Sequence, residues 1–245
     1  MIAVAPRRHN DSIASRIETP MPRLNQLRVY PSSDAADHAT TYPDLHFRAS
    51  THHVAEMFMS MLAPGYTLDG AGLVTISCGP RGPSPEYSQV LGCTEVFAER
   101  FDFAVYQALD HGPRQEMILA LIEDRLSDIA ARVGADPAPI RECAGMVRKH
   151  GFVLEQEQRK LSRCLPGRRG WIRVYRRLGA GFCEMWLAKS FDPTGAVVHE
   201  ALMREPAPLD LRQHFFRSRL RDEVFLVEDR FAKTVFSLPL PAVRA

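Results

Sequence analysis

The chain has 245 residues, 45% of them hydrophobic, a balance that suits one sizeable globular core and excludes a disordered or fibrous class. A formal charge of +2, from 31 Lys and Arg against 29 Asp and Glu, is too near neutral to imply nucleic acid by itself. No apolar run reaches the ~18 residues of a membrane helix, and Met1–Arg8 lacks the apolar core of a signal peptide, so a cytoplasmic protein is expected.

Residues 1–50 are rich in Pro, Ser, Asp, Thr and Arg with little periodicity, and read as a loosely draped arm preceding one domain over 51–245. His52 to Leu62 is expected to be helical, with Ser50 or Thr51 as N-cap and Pro64-Gly65 as the stop. His52, His53 and Glu56 could suggest a metal site. No third ligand is placed by spacing, so a polar helix face is expected, with no metal and no cofactor. Tyr66-Thr67-Leu68 and Leu73–Cys78 flank Asp69-Gly70-Ala71-Gly72 and read as strand, turn, strand. Glu95–Tyr106 reads as a long bent strand, with Val96, Phe97, Phe101, Phe103 and Val105 apolar.

Ile118, Ile122, Leu126, Ile129 and Val133 recur at helical steps between Pro113 and Gly134, which stands where a helix-ending glycine belongs. Asp136-Pro137 starts a second helix with the stripe Ile140, Cys143, Ala144 and Val147, and the short connection makes the two an antiparallel pair. The extended segment Phe152–Leu161 puts Glu155 and Glu157 on one strand face, either an acid/base pair or a charged sheet edge.

From Arg159 the chain turns basic: Arg159, Lys160, Arg163, Arg168, Arg169, Arg173, Arg176 and Arg177 come with no intervening carboxylate. Trp171–Leu178 and Phe182–Leu187 flank Gly179-Ala180-Gly181 as a hairpin, and Val197–Leu202 adds a third antiparallel strand. A three-residue loop would set Leu178 against Phe182, Arg176 against Glu184 and Val174 against Trp186. One face then carries Ile172, Val174, Leu178, Phe182 and Trp186, and the other Trp171, Arg173, Tyr175 and Arg177. A bulge in the loop would exchange the faces. Leu209–Leu220 reads as a helix, and Glu223–Val227 with Thr234–Leu238 as a closing hairpin. Strands and helices grouped without regular alternation point to α+β. The expected build is a single, mainly antiparallel sheet of about seven strands against a helix pair and a further helix.

No nucleophile elbow, phosphate loop, dinucleotide fingerprint or zinc spacing is present, and Cys78, Cys93, Cys143, Cys164 and Cys183 read as free thiols. The entry Gly65-Tyr66-Thr67-Leu68, the aromatic Phe101-Asp102-Phe103, the helix pair and the basic strand leading into a Trp-containing meander together resemble the immunity proteins of bacterial polymorphic-toxin systems. The resemblance spans residues 64–240 and is one of layout. It implies a non-catalytic, stoichiometric binder of a toxin, with affinity held by aromatic and arginine anchors. Arg168, Arg169, Trp171, Arg173, Tyr175 and Arg177 are the candidate contacts, and their charge implies an acidic surface on the partner. The alternatives are an enzyme using the His52/His53/Glu56 or Glu155/Glu157 groups, and a nucleic-acid binder stacking bases on Trp171 and Tyr175.

Overall fold

Strand β1 (Gln26–Pro31) enters the protein beside helix α1 (Pro43–Met61), which returns the chain to β2 (Leu73–Cys78), parallel to β1. The computed structural model describes residues 22–38, 43–179, 184–207 and 212–240. β3 (Tyr87–Val90) runs antiparallel to β4 (Cys93–Ala98), which is parallel to β2, so the first sheet has the order β1-β2-β4-β3. Helices α2 (Phe103–Ala108), α3 (His111–Val133) and α4 (Ala138–Lys149) follow. Next come β5 (Leu154–Glu157), β6 (Arg163–Cys164), β7 (Trp171–Leu178), β8 (Glu184–Phe191) and β9 (Val197–Ala207). They form a five-stranded antiparallel sheet of order β5-β7-β8-β9, with β6 also on β7. β10 (Arg217–Arg221), β11 (Val224–Glu228) and β12 (Thr234–Pro239) form a third, three-stranded sheet.

The protein is therefore α+β with three sheets, and the single seven-stranded sheet is corrected. Two cores explain the division. Helices α1, α3 and α4 bring Phe58, Ile122 and Ile140 on to Val29, Val74 and Ile76 of the first sheet, all in one buried cluster. Ile172, Val174, Trp186 and Ala188 of the second sheet meet Phe225, Val227 and Leu238 of the third in another. The apolar stripe of α3 is buried as its periodicity requires, and Gly134 ends it at φ 73°, its N–H bonded to Ala130.

Several expected elements change. The arm expected over 1–50 is too long, because Leu24, Leu27 and Val29 are buried and β1 is a sheet member. Helix α1 begins at Pro43, so Ser50 and Thr51 lie inside it rather than capping it. Their hydroxyls bond back to Phe47 O and Arg48 O, and sideways to Tyr106 and Val29, satisfying groups that would otherwise be buried unpaired. Tyr66–Leu68 is not a strand, and the Asp69 carboxylate instead ties together Ala71 N–H, Tyr87 and Thr94. The long strand Glu95–Tyr106 stops at Ala98, and Asp102 caps α2 by accepting from Ala104 and Val105 N–H. The helix expected over Leu209–Leu220 is replaced from Arg217 by β10, its residues 209–211 lying outside those described. The final hairpin β11–β12 is as expected, and Asp222 and Glu223, at φ 48° and 59°, make the tight turn from β10.

Candidate partner-binding face

Alternation along β7 decides which side chains reach solvent. Ile172, Val174, Arg176 and Leu178 are buried, while Trp171, Arg173, Tyr175 and Arg177 lie on the opposite, open face. The hairpin register is Val174↔Ala188 and Arg176↔Trp186, two residues from the expected pairing of Val174 with Trp186. A shift of two preserves parity, so the described members of both faces stay as expected; Phe182 and the loop residues Ala180 and Gly181 lie outside the described residues. Gly170, at φ 109°, lets the chain enter β7 hard against the Phe191 carbonyl, where any side chain would collide. That entry sets Trp171 opposite Phe191.

On the open face Arg173 lies over two rings, its guanidinium carbon 4.9 Å from the Phe191 centroid and 5.8 Å from that of Trp171. Tyr175 follows, 6.4 Å from Phe191, with the Lys189 ammonium 4.9 Å from its own ring. The far end of the face is an ion network. Glu155 accepts from Arg177 at 2.8 Å and from Lys189 at 2.7 Å, and Lys189 also reaches Glu200 at 3.2 Å. Desolvation pulls the Glu155 carboxyl upward, but the hydrogen bonds and charges of Lys189 and Arg177 outweigh it and hold the group below the usual carboxylate range. Glu155 sits on the edge strand β5, where such charges discourage a further strand.

Charge is thus compensated at one end only. Among the described residues no carboxylate pairs with Arg173. Asp192, next to Phe191 at the end of β8, folds back on its own turn to accept from Thr194 and Ala196 N–H. Arg173 stands opposite Lys189 across the strand pair, and exposed apolar side chains at this end of the sheet include Trp171 at 37% and Val197 at 53%.

Of the six candidate contacts, the structure brings four together. Arg169 is elsewhere, held by two hydrogen bonds of 2.8 and 3.0 Å to Glu223. Arg168 ends a short 3-10 turn, and its side chain lies outside the described residues. The sequence reading missed Phe191 and Lys189, which join the face only through strand pairing, although the alternation of β8 carries their parity. No protein family, curated protein or solved structure matches this chain. The arrangement of its own residues carries the functional argument.

A second polar cluster lies beneath the same strand. Arg176 is 3% exposed and donates to Glu184 at 2.7 Å and to Glu56 at 3.0 Å, with His52 Nε2 at 3.3 Å. Trp186 Nε1 donates to the other Glu184 oxygen at 2.7 Å. Glu56 also accepts from Arg212 at 3.2 Å. Two members of the His52/His53/Glu56 group are therefore committed to this network, and among the described residues no group of three or more His, Cys, Asp and Glu is placed to hold a metal. Cys78 and Cys143 are buried free thiols, while Cys93 and Cys164 are free and exposed. No described helix is long and apolar enough to cross a membrane.

His53 turns the other way, into the helix core, stacked 5.8 Å from His111 and 2.8 Å from the Gln115 amide. Burial, reinforced by the neighbouring His111 and His52, lowers its pKa from 6.5 to about 3. The folded state therefore refuses a proton that the unfolded chain accepts below pH 6.5. Stability from this group is complete above pH 6.5 and falls by about 1.4 kcal/mol per pH unit as the pH drops toward 3. Urea midpoints between pH 7 and pH 5 should fall less steeply in His53→Gln than in the wild type. Parallel slopes would remove His53 as the source.

Proposed function

We propose that this chain is a non-catalytic binding protein that grips an acidic surface of a partner protein with the Trp171–Arg173–Phe191 end of its open sheet face. Arg173 carries the reading. A guanidinium set over two rings, with no described carboxylate on it, is pre-organised to take a partner's carboxylate through two parallel hydrogen bonds. Exposed Trp and Val side chains around it supply the apolar area that interface cores use, and Trp and Arg are over-represented among residues that dominate affinity. The role is that of an immunity protein covering a toxin encoded beside it. Glu155, one of the acid/base candidates in the sequence, is already satisfied by two cations. A carboxylate held below its usual range is a weak base and carries no proton to donate at neutral pH.

The test is capture of the adjacent gene's product by the wild type, Arg173→Glu, Trp171→Ala and Arg177→Gln, with thermal midpoints measured alongside. Arg173→Glu is expected to weaken binding by about a hundredfold or more, since it sets a like charge against the partner's carboxylates. Arg177→Gln should weaken it much less, because Arg177 is engaged by Glu155 within the protein. Undiminished capture by folded Arg173→Glu would rule out this face. Failure to bind any neighbouring product would end the immunity reading, and steeply salt-dependent binding to generic oligonucleotides would transfer the face to nucleic acid.

A further inference from the structure

We infer that the element gripped by the open face is an amphipathic α-helix of the partner, apolar along one stripe and acidic along the next, lying across the strands of the second sheet. The inference rests on the open-face reading and specifies what the partner presents to that face.

Residues directly opposite one another in antiparallel strands share a face, so the strand pairings set the open face out in rows. Cys164 of β6 stands opposite Trp171 of β7, Trp171 opposite Phe191 of β8, and Phe191 opposite Val197 of β9. One uncharged, largely apolar row therefore crosses four strands, with Cys164 exposed at one end and Val197 exposed at the other. The next row on the same face is charged, with Arg173 opposite Lys189 and Lys189 opposite Glu200. The two cations lean apart. Arg173 reaches over the Phe191 and Trp171 rings of the apolar row, while Lys189 lies over Tyr175 and is held by Glu155 and Glu200.

Spacing selects the occupant. Neighbouring strands lie about 4.8 Å apart, so the four side chains of the apolar row follow one another at that interval and span about 14 Å. A helix returns a side chain to the same stripe every turn of about 5.4 Å, so three turns cover about 16 Å and stay within ~2 Å of the row. An extended segment laid along the row repeats its side chains about 6.8 Å apart and covers about 20 Å in three steps, out of register by more than a strand spacing. Apolar anchors one turn apart are how a helix is read by a protein surface, and this row offers one contact per turn. Charge sets the neighbouring stripe. Arg173 borders the row with no described carboxylate on it, so a carboxylate on the adjoining stripe of the helix meets the guanidinium, whereas a basic stripe there would place like charges against Arg173 and Lys189.

The experiment uses the full chain and a labelled, stapled helical peptide of about four turns, with leucine on one stripe and glutamate on the adjoining one, read by fluorescence anisotropy. Saturable binding is expected, weakened about tenfold or more by Arg173→Glu and about threefold or more by Val197→Asn, at unchanged thermal midpoint. The same residues reordered so that leucine and glutamate alternate, without the staple, should bind at least about tenfold more weakly. The free thiols give a second readout. Bound peptide should slow alkylation of Cys164, at the end of the row, about fivefold or more, and leave that of Cys93 on the first sheet unchanged. No saturation up to about 1 mM peptide would overturn the inference. So would equal affinity for the alternating peptide, or an unprotected Cys164 in the saturated complex. If the adjacent gene's product is captured in a manner that needs Arg173 while the helical peptide fails to bind, the face stands and the helix falls. Indifference of both ligands to Arg173→Glu would remove the face itself.

Discussion

Ile122→Asp and Leu126→Asp are each expected to leave the protein unfolded. Both side chains are fully buried in the middle of α3, among Ile118, Leu119 and Ile129 and under the residues that α1 and α4 contribute to the same core. An aspartate there must either keep its charge in an apolar site or take up a proton against its ordinary pKa. It also loses the burial of an aliphatic side chain, worth about 1.5–3 kcal/mol. The desolvation and the lost packing together reach several kcal/mol, comparable with the whole stability of a domain. Far-UV circular dichroism and gel filtration of the soluble fraction are the measurements. A native spectrum with an unchanged urea midpoint would mean that the α3 stripe does not face a core. Glu123→Ala on the same helix is the contrast: it removes only a partly exposed partner of Arg148, for which about 1 kcal/mol or less is expected.

That stripe was legible because a helix writes its packing in local spacing. Ile118, Ile122, Leu126 and Ile129 need only each other to define a face, and Gly134 marks the end by its own backbone preference. The β7–β8 hairpin was legible to the level of faces for a related reason. Parity along a strand survives a register error of two, so Trp171, Arg173, Tyr175 and Arg177 stayed together although each cross-strand partner was misplaced. What failed was information held between distant segments. β1 is a short strand in a polar stretch, and its partner β2 lies more than forty residues on, across a helix, so nothing local announced it. Ser50 and Thr51 looked like caps because their type favours caps. Only the position of Val29 and Tyr106 shows that their hydroxyls serve buried contacts instead. Strand patterns likewise do not say which edges meet, which is why three sheets read as one.

The sharpest consequence of such a distant contact concerns Arg176, which the sequence places on a core-facing row between Val174 and Leu178 and supplies with a carboxylate from β8. Arg176→Met is expected to destabilise the protein by about 3–5 kcal/mol, the usual effect of removing one member of a buried ion pair. The substitution strips this guanidinium from Glu184, itself only 3% exposed, and from Glu56 on α1, 120 residues away in the chain. Methionine fills much of the arginine stem's volume, so the loss measures charge more than packing. The double substitution Arg176→Met/Glu184→Gln should recover a large part of it, because the neutral amide avoids the buried charge and its oxygen can still accept from Trp186 Nε1. Urea unfolding of the wild type, both single variants and the double variant closes a double-mutant cycle, with a coupling energy of about 1 kcal/mol or more expected. Additive losses would mean that the pair contributes no coupling. A wild-type midpoint in Arg176→Met would mean that the guanidinium does not join α1 to the second sheet.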